Sequence, residues 1–343
     1  MLSAKTRLKK VINREKVDRP PCICPGGMMN MVTTELMEQV GIQFPEAHMD
    51  AKMMADLTAA VYENGCFENY GVPFCMTIEA EDFGAKVNMG TNIYEPHVKE
   101  YIIDSVKEWE DVNPINYEKG RAKVVIDAIK LLKSKDKEVP IIGNLTGPIS
   151  TASSIIEPVV FYKELRKKNK EAHEFLDFVT NQLIDFAKKQ IEAGADIIAI
   201  SDPSGTGEIL GPKLFEEFAV KYINKLVDSI KEENIGTIVH ICGQMKNVYS
   251  QVNKIGSDIL SFDSIVNINE AKESLGDRLI MGNVSTYTIE FGDKSKVKEL
   301  TRKCIKDGSD IIAPACGLGM KSPLENVKAM LEALTKGDGV TDA

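Results

Sequence analysis

Three stretches of the chain repeat one arrangement of polar and apolar positions: an amphipathic helical run, a glycine, an aspartate and a short apolar run. They are Ile191-Glu192-Ala193-Gly194-Ala195-Asp196-Ile197-Ile198, Val252-Asn253-Lys254-Ile255-Gly256-Ser257-Asp258-Ile259-Leu260 and Ile305-Lys306-Asp307-Gly308-Ser309-Asp310-Ile311-Ile312. Each reads as a helix stopped by a glycine at positive φ, followed by a buried strand. Apolar runs at 139–142, 238–241 and 279–281 alternate with helical periodicity at 122–134, 213–231 and 323–335. Such alternation predicts a parallel sheet, and strands apolar on both faces predict that helices cover it. Before residue 120 the pattern is less regular. A helix is expected over 4–13, a turn over 17–21 and a first short strand at Cys22-Ile23-Cys24.

Polar residues decide between an open sheet and a closed barrel. Groups with chemistry follow nearly every expected strand: Asn144, Asp202, His240 with Cys242, Asp263, Asn283 and Cys316. Side chains from several strands converging at their carboxyl ends are what a (β/α)8 barrel offers, whereas an open sheet gathers its site at one crevice. The expectation is therefore a single TIM-type barrel over residues 1–343, with an N-terminal extension over about 1–70. No Pro, Gly or Ser tract suggests a linker, and no Gly-x-Gly-x-x-Gly turn follows an early strand to mark a dinucleotide site.

With 343 residues, 43% of them apolar and 27% charged, the chain can bury a full core. A formal charge of −9 disfavours nucleic acid as a partner. No apolar run reaches the roughly 20 residues of a membrane span, and the N-terminus has no signal-like stretch, so the cytoplasm is the expected compartment. Seven cysteines at 22, 24, 66, 75, 242, 304 and 316 form an odd set in which a disulfide framework is not expected.

Two of those cysteines change the picture. Thr237-Ile238-Val239-His240-Ile241-Cys242 breaks at Gly243, and Asp310-Ile311-Ile312-Ala313-Pro314-Ala315-Cys316 breaks at Gly317. Side chains two apart on a strand share a face, so His240 and Cys242 point the same way and Cys316 can close the set. One imidazole and two thiolates suit zinc, and three protein ligands leave a fourth position for substrate. The two thiolates cancel the ion's charge, which leaves a mild Lewis acid. A thiol at the open position would be deprotonated yet stay nucleophilic, which favours alkyl transfer to sulfur over hydrolysis. A free thiol with a pKa of about 8.5 is only a few per cent thiolate at pH 7.

This motif resembles the His-x-Cys and distant Cys zinc set of the methylcobamide:coenzyme M methyltransferases, within the uroporphyrinogen decarboxylase superfamily. The resemblance extends to Val72-Pro73-Phe74-Cys75-Met76-Thr77, Glu81, Asn88-Met89-Gly90-Thr91, Pro140-Ile141-Ile142-Gly143, Gly147-Pro148, Ala199-Ile200-Ser201-Asp202-Pro203 and Pro323-Leu324-Glu325-Asn326-Val327-Lys328. It implies a barrel enzyme that takes a methyl group from a corrinoid on a partner protein and gives it to a zinc-bound thiol such as coenzyme M. His240, Cys242 and Cys316 would be the zinc ligands. Asp263 would be a fourth ligand of the empty enzyme or, preferably, the acceptor for the His240 ring NH. Glu81 and Asp202 would line the pocket or help the thiol proton leave, and Asn144 and Asn283 would face the cofactor.

Other readings stand beside this one. Uroporphyrinogen decarboxylases carry an arginine-bearing segment near the first strand, and here Pro20-Pro21-Cys22-Ile23-Cys24-Pro25-Gly26-Gly27-Met28 has none after Arg19. Decarboxylation is thus the second enzymatic reading, and a non-catalytic corrinoid or thiol-binding protein a third. Homocysteine and tetrahydrofolate are alternative acceptors. Cys22 and Cys24 could fold over the mouth as ligands. Asp202 and Asp263 could be helix caps or turn residues, and the methionines at 28, 29, 31, 49, 53 and 54 filling for an apolar interface or a rim for the corrinoid. No Asp-x-His-x-x-Gly turn is present, so the methylcorrinoid is expected to be an exchangeable donor. The sequence is compatible with a homo-oligomer.

Overall fold

The computed structural model describes residues 2–335. Its central sheet has six parallel strands, Tyr70–Val72, Ile141–Thr146, Ile197–Ser201, Gly236–Ile241, Ile259–Phe262 and Leu279–Met281, each paired with the next in sequence. All six are buried along their length, as expected for strands covered by helices outside and packed side chains inside. Two shorter segments close the wall. Ile311 and Pro314 form parallel bridges to Met281 and Val284, and Cys22 bridges Ile312. The Glu68 amide then donates to the Cys22 carbonyl at 2.8 Å, returning the ring to its first strand. This gives the eight-stranded TIM-type barrel expected from the alternation of elements. Cys22-Ile23-Cys24, inside the segment read as an extension, is part of that wall.

The threefold repeat has a structural cause at the amino-terminal ends of the strands. The Ile141 amide donates to Asp196 at 3.0 Å, the Thr237 amide to Asp258 at 2.7 Å and the Ile280 amide to Asp310 at 2.8 Å. Each repeated aspartate thus ties its own strand to the neighbour before it and satisfies a backbone donor that the sheet leaves open. The glycines are less uniform than the pattern predicts. Gly194 and Gly308 take positive φ after the helices Asn169–Ala193 and Lys294–Lys306, but Gly256 does not. The helix before it, Tyr249–Val252, ends earlier, and the Gly256 amide is held by Asn224 Oδ1 at 2.8 Å.

A strap over residues 25–30 crosses the carboxyl-terminal mouth. Gly26 and Gly27, both at positive φ, turn the chain so that Gly26 bridges Met29 and the Gly27 amide reaches the Pro73 carbonyl. A short hairpin, Lys86–Asn88 with His97–Glu100, follows the strand Tyr70–Val72 and the helix Ile78–Phe83. No helix among the described residues is long and apolar enough to cross a membrane.

Candidate metal centre

The strand Gly236–Ile241 carries His240 into the barrel and ends just before Cys242. Cys316 follows the bridge at Pro314 three strands further round. The ligand-capable atoms of the three residues lie within 4.8 Å of one another, with His240 buried and both thiols partly accessible. His240 Nε2 faces Cys242 Sγ at 3.3 Å, while Nδ1 meets Ser261 Oγ at 2.9 Å. Burial pushes the imidazole pKa down to about 4, so the ring is neutral at pH 7 and keeps a lone pair for a metal. Hydrogen bonding between the two thiols raises the pKa of Cys242 and lowers that of Cys316.

Zinc fits this donor set. Two thiolates and an imidazole match its preference, and the partly accessible sulfurs leave a side open to a further donor. Cys24 and Cys22 are not part of the set: both are fully buried, and Cys24 Sγ donates to the Met29 carbonyl at 3.1 Å.

The carboxylates predicted around the set have other partners. Asp263 is not the hydrogen-bond partner of His240 Nδ1; that place belongs to Ser261, which the sheet register sets opposite His240. The Asp263 side chain turns to its own loop, accepting from the Ser264 hydroxyl and the Ile265 amide, although it stays within electrostatic reach of His240, Cys242 and Cys316. Asp202 is fully buried and accepts from the Ile149 amide and from the amide and hydroxyl of Ser150. It caps the helix Pro148–Ile155, in the manner of an N-terminal acceptor supplied from a neighbouring strand. Both of its oxygens are engaged there.

Glu81 forms an ion pair with Arg121, whose other nitrogens reach Cys75 Sγ at 3.2 Å and Thr77 Oγ1 at 2.7 Å. Asn144 donates to the carbonyls of Pro25 and Val72, and thereby anchors the strap. Its Oδ1 is buried without a partner, pressed against Gly27, where a Cβ would stand 2.9 Å from it. Asn283 does not join the cluster. Its amide donates to the carbonyls of Asp263 and Val266, and its oxygen receives Cys304 on the helix Lys294–Lys306.

Sequence reasoning missed four groups near the mouth. Ser261 orients the histidine. Arg121, 5% exposed, comes from the helix Gly120–Lys133 and neutralises Glu81. Glu79 is buried with its pKa pushed up to about 7 by desolvation, and it accepts from the amide and hydroxyl of Thr146 at 2.7 and 2.8 Å. His48 is buried, stacked 4.1 Å from Phe44, with Nδ1 unpaired. The alternating Thr77, Glu79 and Glu81, a few residues beyond the strand Tyr70–Val72, carried a signal that could have drawn attention to Glu79.

The uroporphyrinogen decarboxylase (URO-D) family profile matches residues 3–337. A methylcobamide:CoM methyltransferase, MtbA of Methanosarcina acetivorans, is 34% identical over 330 residues, 96% of each chain. A methylated-thiol–coenzyme M methyltransferase of Methanosarcina mazei is 31% identical over 337 residues, 97% of this chain and 90% of the relative. Among solved structures, a methyltransferase from Methanosarcina mazei superposes with a TM-score of 0.90 at 33% identity, covering 97% of this chain and 98% of the other.

Proposed function

The chain belongs to the uroporphyrinogen decarboxylase family, and from that membership and the donor set at the mouth we propose a zinc-dependent methyltransferase that moves a methyl group from a methylated corrinoid to a thiol. The donor is carried by a partner corrinoid protein, and a small thiol such as coenzyme M is the acceptor. One observation carries the reading: an imidazole and two thiols converge at the carboxyl ends of barrel strands, with their donor atoms within 4.8 Å. The names of the relatives, which pair a methylcobamide or a methylated thiol with coenzyme M, support it.

His240, Cys242 and Cys316 would hold the ion. Zinc would supply the charge that lets an incoming thiol release its proton to solvent, while a sulfur-rich sphere would leave that sulfur nucleophilic. His240 enters as a neutral ring, because burial disfavours its charged form, and Ser261 fixes which nitrogen faces the sulfurs. The acceptor sulfur attacks the methyl carbon; the carbon–cobalt bond breaks with its electron pair left on cobalt, and a thioether forms. Complete ionisation of the acceptor contributes roughly 1.5 to 2 pKa units, about 2 to 3 kcal/mol, and alignment of sulfur with the methyl carbon contributes several kcal/mol more. The strap keeps Met28 beside Cys242 Sγ, giving the mouth an apolar side.

The test is zinc content and methylcobalamin demethylation for wild type, Cys242→Ala and Cys316→Ala across coenzyme M, homocysteine and tetrahydrofolate. The expected result is one zinc per chain, lost in both variants together with thiol-dependent demethylation. Demethylation that survives chelation, or no turnover with any acceptor, rejects the proposal.

A further inference from the structure

A cavity of about 380 Å³ opens at the amino-terminal end of the barrel, the end opposite the metal centre, where the helix Ala4–Ile12 meets the start of the strand Leu279–Met281. Arg14, Arg19 and Ser309 line it beside an apolar wall of Val11, Val17, Pro20 and Leu279. We propose that this cavity binds a phosphate monoester, with Arg14 and Ser309 holding the phosphate and the apolar wall taking the organic part. The site stands apart from the methyl-transfer chemistry and does not rest on the zinc reading.

Ser309 carries the argument. It is 5% exposed, and its hydroxyl is buried without a hydrogen-bond partner. The threefold repeat shows that this is not forced by the local fold. Between the repeated glycine and aspartate, the first copy has Ala195, which brings no hydroxyl, and the second has Ser257, whose hydroxyl donates to the Ile259 carbonyl at 3.0 Å. Ser309 makes no such bond in the third copy, where the Ile311 carbonyl receives the Gly282 amide at 2.9 Å. A buried hydroxyl left unpaired costs free energy, and an oxygen acceptor in the cavity would recover it.

The charges around the cavity are unevenly spent. The two lining carboxylates are taken, Glu15 by Lys10 at 2.6 Å and Asp310 by Lys272 at 2.5 Å. Arg19 is balanced by Glu68 at 2.7 Å. Arg14 has no carboxylate partner among the described residues, and its φ of 61° makes it the one non-glycine residue among them at positive φ, a conformation unfavourable for an L-residue. Arg278 lies within electrostatic reach of Arg14, and its guanidinium is spent on the neutral carbonyls of Ile255 and Ser257, both at 2.7 Å. Asp258, the acid that also reaches Arg278, is bound to the amide and hydroxyl of Thr237. An unneutralised guanidinium thus stands beside a second one on a chain of net charge −9.

A phosphate answers both features, because its tetrahedral oxygens can accept from a guanidinium and from a hydroxyl at the same time. The volume lies within the range that holds small organic ligands. That size and the apolar wall favour an ester over the bare ion.

Isothermal titration calorimetry on the intact protein, with ionic strength held constant by chloride, tests the site using adenosine monophosphate and inorganic phosphate as probes. Adenosine monophosphate should bind about tenfold or more tightly than inorganic phosphate, and Arg14→Gln and Ser309→Ala should each weaken it by about tenfold. Thermal scans without ligand separate this from a structural role: Ser309→Ala should melt at or above wild type, since an unpaired hydroxyl is removed, and adenosine monophosphate should raise the midpoint of wild type far more than that of the variant. Absence of binding by both probes overturns the proposal, as does binding that is unchanged in both variants. A ligand-free Ser309→Ala protein that melts several degrees lower also overturns it, because the hydroxyl would then serve the fold. Equal affinity for the two probes rejects the ester in favour of free phosphate.

Discussion

Replacing Ser261 with alanine removes the hydroxyl that stands 2.9 Å from His240 Nδ1, and the structure sets the size of the effect. Both residues are 1% exposed, so water has no room to take the hydroxyl's place. If Nε2 is to serve the metal, the proton of the neutral ring sits on Nδ1, and in the variant that N–H is buried without an acceptor. Leaving such a group unpaired costs about 1–3 kcal/mol. The cost falls on the metal-competent tautomer, because the other tautomer can point its proton from Nε2 towards Cys242 Sγ, 3.3 Å away. Zinc affinity should fall by about 10 to 100-fold, the usual consequence of losing a partner behind a metal-bound histidine, and 1.4 kcal/mol per tenfold brings the two figures into agreement. Competition against a chromophoric zinc chelator measures the change, and Ser261→Thr, which keeps the hydroxyl, should recover most of it. A zinc dissociation constant within about twofold of wild type in a folded Ser261→Ala protein would refute the orienting role.

Three further outcomes follow from the same geometry. Burial holds the His48 imidazole pKa at about 3 against 6.5 for the free group, so between those values the unfolded chain binds a proton that the folded chain refuses. Stability is then fully present above pH 6.5 and falls on acidification towards pH 3, by up to about 1.4 kcal/mol per pH unit from this group; urea melts at pH 7, 6 and 5 should show a shallower fall in His48→Leu, and equal slopes would count against the assignment. Asp202→Asn should lower stability by about 1–2 kcal/mol through the weakened cap on Pro148–Ile155, with zinc stoichiometry intact. A tenfold loss of turnover at unchanged stability would instead make Asp202 a proton acceptor. Asp258→Ala releases the amide and hydroxyl of Thr237 at the far end of the barrel and should cost about 1–3 kcal/mol while leaving zinc affinity as it was; chelator competition beside a thermal melt separates the two effects.

What the sequence disclosed and what it concealed divide along the range of the interaction. The strand Leu279–Met281 and the shared face of His240 and Cys242 depend on residues adjacent in the chain, and both were readable from local alternation. The pairing of Ser261 with His240 was not, because it depends on the register between two strands separated by a loop and a helix, and no local pattern encodes register. For the same reason Asp263, one residue beyond its strand, drew the role that Ser261 holds. Asp202 shows a different ambiguity. A carboxylate after a strand looks the same whether it faces a substrate or a helix end, and what decides is the pair of open amides on Ile149 and Ser150, some fifty residues earlier in the chain. Arg121 and His48 reach the mouth from the helix Gly120–Lys133 and the short helical turn Glu46–His48, and no local pattern connected either with the site. Met28 was visible as one of many methionines, yet its place depends on the Gly26-Gly27 turn and on Gly317 letting two backbones meet. The candidate ligands were legible because each follows an apolar run at the carboxyl end of a barrel strand; the groups that orient, cap and cover them are held by contacts between distant segments, and only the folded chain brings those segments together.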